Sequence, residues 1–136
     1  MKRPIPVTLI AYAVLLLSAF NAVRGFAALR QADVLRGLGL DGPLIALTLT
    51  GIAWSAGWLI TAFGLFRLRV RARRWTLVAI VLYQLNLWIV RLAFERSSAE
   101  PLTRPADAAL SLLSIVLVWG ALSLPPARRA FRLRDE

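Results

Sequence analysis

The sequence predicts an all-α integral membrane protein: a single domain built as a bundle of four transmembrane helices, with both termini in the cytoplasm. Three observations predict it. Of 136 residues, 59% are hydrophobic, above the roughly 45–50% usual for soluble domains. Four runs, residues 4–23, 42–66, 75–90 and 108–127, carry no charge, and a helix needs about 20 apolar residues to cross the hydrocarbon core. The charged residues, 17 Lys and Arg against 7 Asp and Glu, are confined to short segments between those runs. A soluble chain of this size has no interior large enough for so much apolar sequence, and none of the runs has the charged face of an amphipathic helix.

The first helix is placed at about 5–27. Pro4 and Pro6 suit its first turn, where a missing N–H costs nothing. The start "MKRPIPVTLIAYAVLLLSAF" has the basic-then-apolar order of a signal peptide. Its apolar stretch is longer than a typical h-region, and Arg24 stands where a cleavage site needs small neutral residues. It is therefore read as a signal-anchor and first span. Residues 28–42 follow, read either as a short interfacial helix carrying Leu29, Val34, Leu35, Leu38 and Leu40 or as a continuation of the first helix. The second helix is placed at 43–66, entered through the turn-rich "GLGLDGP" with Asp41 as its cap. The third is placed at 75–95, where Leu92, Ala93 and Phe94 extend a 16-residue uncharged run beyond Arg91. The stretch 97–107, with two prolines, reads as a polar connection. The fourth helix is placed at 107–124, with Asp107 favourably near its positive end and Pro125 and Pro126 as its stop.

The basic segments set the orientation. On the N-terminal side of the membrane lie Lys2, Arg3, the 67–74 loop with Arg67, Arg69, Arg71, Arg73 and Arg74, and the 125–136 tail with Arg128, Arg129, Arg132 and Arg134. That is eleven basic residues against six on the other side. The positive-inside rule then places both termini and the loop in the cytoplasm of a bacterial-type membrane. The five loop arginines are read chiefly as a topology signal, with anionic lipid headgroups as their partners at roughly 1 kcal/mol each. Nucleic acid is not expected as a partner, because the strip is short, membrane-bound and free of interleaved aromatics.

Absent residues narrow the chemistry. The chain has no cysteine and no histidine, so thiol chemistry, a His- or Cys-built metal or haem site and a histidine-activated nucleophile are all excluded. The serines at 18, 55, 111 and 114 have no base in view. No catalytic residue, cofactor or metal is expected. The interiors of the spans hold no Asp or Glu, the group that proton- and cation-coupled carriers use to bind and release charge. Small four-helix multidrug transporters depend on a glutamate in the first helix, and this first helix has none.

Three constellations remain. Asn21, Gln84, Asn86 and Trp88 are polar groups at membrane depth. They read either as a pocket for a headgroup, quinone or small solute, or as interhelical hydrogen bonds, the ordinary use of such residues in a bundle. Arg24, Asp41, Arg91, Glu95 and Asp107 form an outer-side charge cluster, with Arg91 and Glu95 also at i, i+4. Ala46, Thr50, Ala53, Gly57, Thr61 and Gly64 form a stripe of small residues on the second helix, expected to be a close helix–helix contact; Gly51 and Ser55 add a second small pair. Trp54 and Trp58 sit beside the stripe, facing protein, ligand or lipid. The expected role is a non-catalytic accessory or scaffold subunit packing against other membrane proteins or itself. An oligomeric carrier or channel for a small solute or lipid is the second reading, and a membrane enzyme acting on a lipid the third.

Overall fold

A computed structural model describes residues 4–94 and 100–132. Every element among them is helical: α1 (Ile5–Arg30), α2 (Ala32–Gly37), α3 (Asp41–Phe66), α4 (Val70–Phe94), α5 (Glu100–Ser123) and α6 (Pro125–Arg132). Four of these, α1, α3, α4 and the 104–123 part of α5, are long and apolar enough to span a membrane. Large side chains stand in the open along these helices, with Leu16 72% and Ile60 73% exposed. Such a surface is untenable in water and ordinary in lipid.

The strongest packing is between α1 and α3. The buried residues of α1 are Val7, Ala11, Val14, Ser18, Asn21, Gly25 and Ala28, alternately four and three apart. This 3.5-residue repeat is the seam of a left-handed helix pair. On α3 the matching seam runs through Leu44, Thr48, Gly51, Ser55, Trp58, Ala62 and Leu65, all buried or half-buried. Lipid tails are as apolar as leucine, so these helices associate through close contact rather than expulsion of water. The two backbones come nearest at Gly25 and Gly51, where a methyl built on Gly51 would lie 2.8 Å from Gly25 Cα and 2.9 Å from the Asn21 carbonyl. Tyr12 of α1 and Phe66 of α3 meet edge to face, 5.3 Å between ring centres. α4 packs against α3, and α5 mainly against α4.

Two of the connections close with the same cap. After α2, Gly39 at φ +68° lets the Leu40 N–H reach the Leu35 carbonyl (2.8 Å) and the Gly39 N–H reach Arg36 (2.9 Å). After α3, the Arg69 N–H reaches Gly64 (2.9 Å) and the Leu68 N–H reaches Leu65 (3.0 Å). Both are Schellman motifs. The second has Leu68 at φ 55°, a costly conformation for a branched side chain. Leu68 is 3% exposed, and burying it offsets that backbone cost.

The structure revises several boundaries. Residues 28–42 combine both readings, since α1 continues to Arg30 and a separate short helix follows. Asp41 is not the cap of α3; Leu40 is the N-cap, without a side-chain cap bond, and Asp41 lies in the first turn, where a carboxylate still suits the dipole. α4 begins at Val70, not 75, so Arg71, Arg73 and Arg74 are helical rather than in a loop. α5 begins at Glu100, and Pro105 lies inside it, so most of the expected polar connection is helix. Pro125 and Pro126 end the span but also start α6, whose Ala127, Ala130 and Phe131 are buried while its arginines stay exposed. Lys2, Arg3, Arg134 and Glu95 lie outside the described residues.

Candidate functional site

The four polar residues expected to share a pocket are drawn instead into hydrogen bonds across three separate helix pairs. Asn21 is fully buried; its amide nitrogen donates to the Leu17 carbonyl (2.8 Å) and to the Tyr83 hydroxyl of α4 (3.0 Å). The Asn86 side-chain oxygen accepts from the Trp54 indole of α3 at 3.1 Å. Gln84 donates to Ser114 Oγ (2.8 Å) and the Trp88 indole to Ser111 Oγ (3.2 Å), both on α5. Ser18 donates to the Ser55 carbonyl at 2.8 Å, tying α1 to α3. In lipid each of these groups would otherwise lack a partner, which is why they turn inward.

The expected charge cluster also divides. Arg91 pairs with Asp107, joining α4 to α5, and its guanidinium lies over the Trp88 ring, 5.6 Å from the centroid. Arg24 instead turns towards α3, with Nη2 donating to Thr50 Oγ1 at 3.4 Å. Asp41 is exposed at the start of α3. Gln84, Leu87, Trp88, Arg91, Asp107, Leu110 and Ser111 line an open cavity of about 250 Å³ between α4 and α5. It holds two of the four expected pocket residues and neither asparagine.

Trp54 and Trp58 pack against protein and also border an open groove between α3 and α4. They stack on each other with ring centres 5.7 Å apart, and Tyr83 meets both edge to face at 5.1 and 5.6 Å. Trp58 is 1% exposed, and its indole N–H has no hydrogen-bond partner among the described residues. This aromatic cluster, not a polar pocket, is the centre of the bundle. The sequence singled out the two tryptophans but carried no signal that Tyr83 of α4 would meet them.

The small stripe does not form one contact. Ala46 and Thr50 are half-buried, and Thr61 and Gly64 are buried; a methyl on Gly64 would meet Ala72 Cβ at 2.5 Å. Ala53 and Gly57 are exposed, and nothing lies within 4 Å of where a Gly57 side chain would begin. The intrachain contact uses Gly51 in their place. Ala53, Gly57 and Thr61 line an apolar groove of about 430 Å³ between α3 and α4, whose other walls are Trp54, Trp58, Ile60, Trp75, Ala79 and Leu82. The Thr61 hydroxyl is spent on the Gly57 carbonyl, 2.7 Å away, which keeps the groove apolar.

The five arginines have different surroundings. Arg67, Arg69, Arg71 and Arg74 are exposed. Arg73 Nε donates to the Leu122 carbonyl at the end of α5, at 2.8 Å. The helical partner of that carbonyl would be the N–H of residue 126, which is proline and has none. Arg73 therefore satisfies an orphan carbonyl at a negative helix end. Arg71 and Arg74 flank a second depression of about 260 Å³ with Trp75 and Val78.

No protein family model, curated protein or solved structure matches the chain. Four apolar helices, with every described element helical, fit a small integral membrane protein. Among the described residues no group of three or more acidic, His or Cys side chains is placed to hold a metal ion.

Proposed function

We propose that the protein is a small non-catalytic membrane subunit or scaffold that packs against other membrane spans. The observation that carries this reading is the use of its intramembrane polar groups. Asn21, Gln84, Asn86, Trp88, Ser18, Ser111 and Ser114 all hydrogen-bond between or within the protein's own helices. A carrier or channel would keep such groups facing a solute path. The surface offered to a partner is α5. Of its residues 104–123 only Leu122 is buried, while Leu110, Leu112, Leu113, Val116 and Leu117 are more than half exposed.

The test is purification of the full chain from native membranes in mild detergent. A membrane protein in fixed stoichiometry is expected, released by Val116→Trp together with Leu112→Trp. A chain that purifies alone, and carries solute across vesicles when reconstituted, overturns the reading in favour of the oligomeric carrier. That second reading draws support from the open α3–α4 groove.

The orientation belongs to the same proposal. Four spans put both termini on one side, and the arginine excess assigns that side to the cytoplasm. Gly37→Cys is expected to react with an impermeant thiol reagent in intact cells, and Arg67→Cys only after lysis. Reaction of both in intact cells overturns it.

A further inference from the structure

The exposed arginines of α4 and the apolar groove belong to one face. Arg71, Arg74, Trp75, Val78 and Leu82 recur at helical spacings of three and four, so they line up along α4. Trp75 is shared: it closes the arginine-bearing end of the groove and is also a wall of the Arg71–Arg74 depression. It is 64% exposed and sits at the end of a span, where an indole favours the headgroup level. The face thus presents two cations, then an interfacial indole, then an apolar slot that runs into the bilayer.

We propose that this face is a binding site for an anionic, phosphate-headed membrane lipid, with the headgroup on Arg71 and Arg74 and one acyl chain in the α3–α4 groove. Guanidinium groups match phosphate oxygens in geometry as well as charge. The groove volume of about 430 Å³ falls in the range of small-molecule sites, roughly 300–1,000 Å³. Charge complementarity selects the occupant. A second copy inserted with the same topology would bring its own arginine cluster to the same level, and like charges would oppose it. Between residues 42 and 94 the chain has no Asp or Glu to neutralise the pair. A phospholipid supplies the anion and the apolar chain already joined at the required depth. The inference goes beyond the scaffold reading and stands whether or not α5 carries a partner.

The test uses delipidated full-length protein in detergent, with lipid retention measured by native mass spectrometry for phosphatidylglycerol and phosphatidylcholine. Phosphatidylglycerol is expected to be retained preferentially. Arg71→Gln with Arg74→Gln should weaken its retention by about tenfold or more, and Arg67→Gln with Arg69→Gln, the same charge loss outside the site, by less than about twofold. Gly57→Leu fills the slot where nothing stands within 4 Å, so it leaves the bundle folded and should weaken retention of both lipids. Equal losses for the two arginine pairs would mean diffuse electrostatic attraction and overturn the site. So would unchanged binding by Gly57→Leu. A wild-type dimer that Gly57→Leu converts to monomer, with no lipid released, would assign the groove to a second copy and likewise overturn it.

Discussion

The α1–α3 and α4–α5 interfaces join helices in the same membrane by different physics. Between α1 and α3 two seams of 3.5-residue period meet, and the backbones touch at Gly25 and Gly51. Beside the Ser18–Ser55 and Arg24–Thr50 hydrogen bonds, the stabilisation is many small dispersion contacts that depend on one crossing point staying empty of side chain. Between α4 and α5 the joints are discrete: Gln84 to Ser114, Trp88 to Ser111, Arg91 to Asp107, and the Trp119 indole to the Leu77 carbonyl at 3.0 Å. The first interface is intolerant at a point and the second is divided among separable bonds. Breaking the first should therefore be all-or-none, while the second should weaken in steps.

The largest expected effect is at the crossing point. Gly51→Leu should destabilise the bundle by about 3 kcal/mol or more, because backbone on α1 blocks even its first carbon and overpacking of this kind is costly. The measurement is denaturant unfolding in detergent micelles. Gly57→Leu, two turns along the same helix, should change stability by less than about 0.5 kcal/mol, as surface substitutions do. If Gly51→Leu is as mild as Gly57→Leu, the α1–α3 seam is not as close as described.

Next comes a polar pair that reaches from α1 to α4. Asn21→Leu keeps the branched shape but leaves the buried Tyr83 hydroxyl without its partner. It should cost about 1–2 kcal/mol. Adding Tyr83→Phe should recover part of the loss, since removing both partners is cheaper than stranding one. Failure to recover would show that Asn21 acts through the Leu17 carbonyl alone.

The ion pair should count for less. Arg91 and Asp107 are 24% and 38% exposed in their side chains, so Asp107→Asn should cost about 1 kcal/mol or less and the loss should shrink as salt is raised. A salt-independent loss above about 2 kcal/mol would instead mark a desolvated pair. Smallest of all, Gln84→Leu should cost about 0.6 kcal/mol, the average for a hydrogen bond between membrane helices. A double-mutant cycle of Gln84→Leu with Ser114→Ala checks it, and a coupling near zero would show the bond to be incidental.

The comparison also shows where the sequence was legible. The period of the α3 seam was readable and its phase was not. Ala46, Thr50, Ala53 and Gly57 repeat like Leu44, Thr48, Gly51 and Ser55, two positions away, and two residues turn a helix by about 200°. Smallness of every member was the wrong criterion. A close pair needs a small residue only where the axes cross, and there α3 offers Gly51 while Trp58 and Leu65 fill the gaps on either side. The α1 seam had its own signal: Ala11, Ser18, Asn21, Gly25 and Ala28 are small or polar residues at heptad positions among leucines. The structural role of Arg73 was hidden because it depends on Pro126, 53 positions away in the chain, whose missing N–H strands the Leu122 carbonyl.

By itself the sequence determined that the protein is four apolar helices, because the length of an uncharged run and the need to satisfy every backbone group in lipid are local properties. It also determined that histidine- and cysteine-based groups are missing, because no fold can supply a side chain that the chain lacks. Only the tertiary structure decided which polar groups are paired and which surfaces stay open. Asn21 finds Tyr83 at a separation of 62 residues, and Gly57 faces a groove while Gly51 meets a neighbouring backbone. In a medium as apolar as the helices themselves, hydrophobicity cannot say which face turns inward; that choice falls to close approach and hydrogen bonding, which exist only once two helices are side by side.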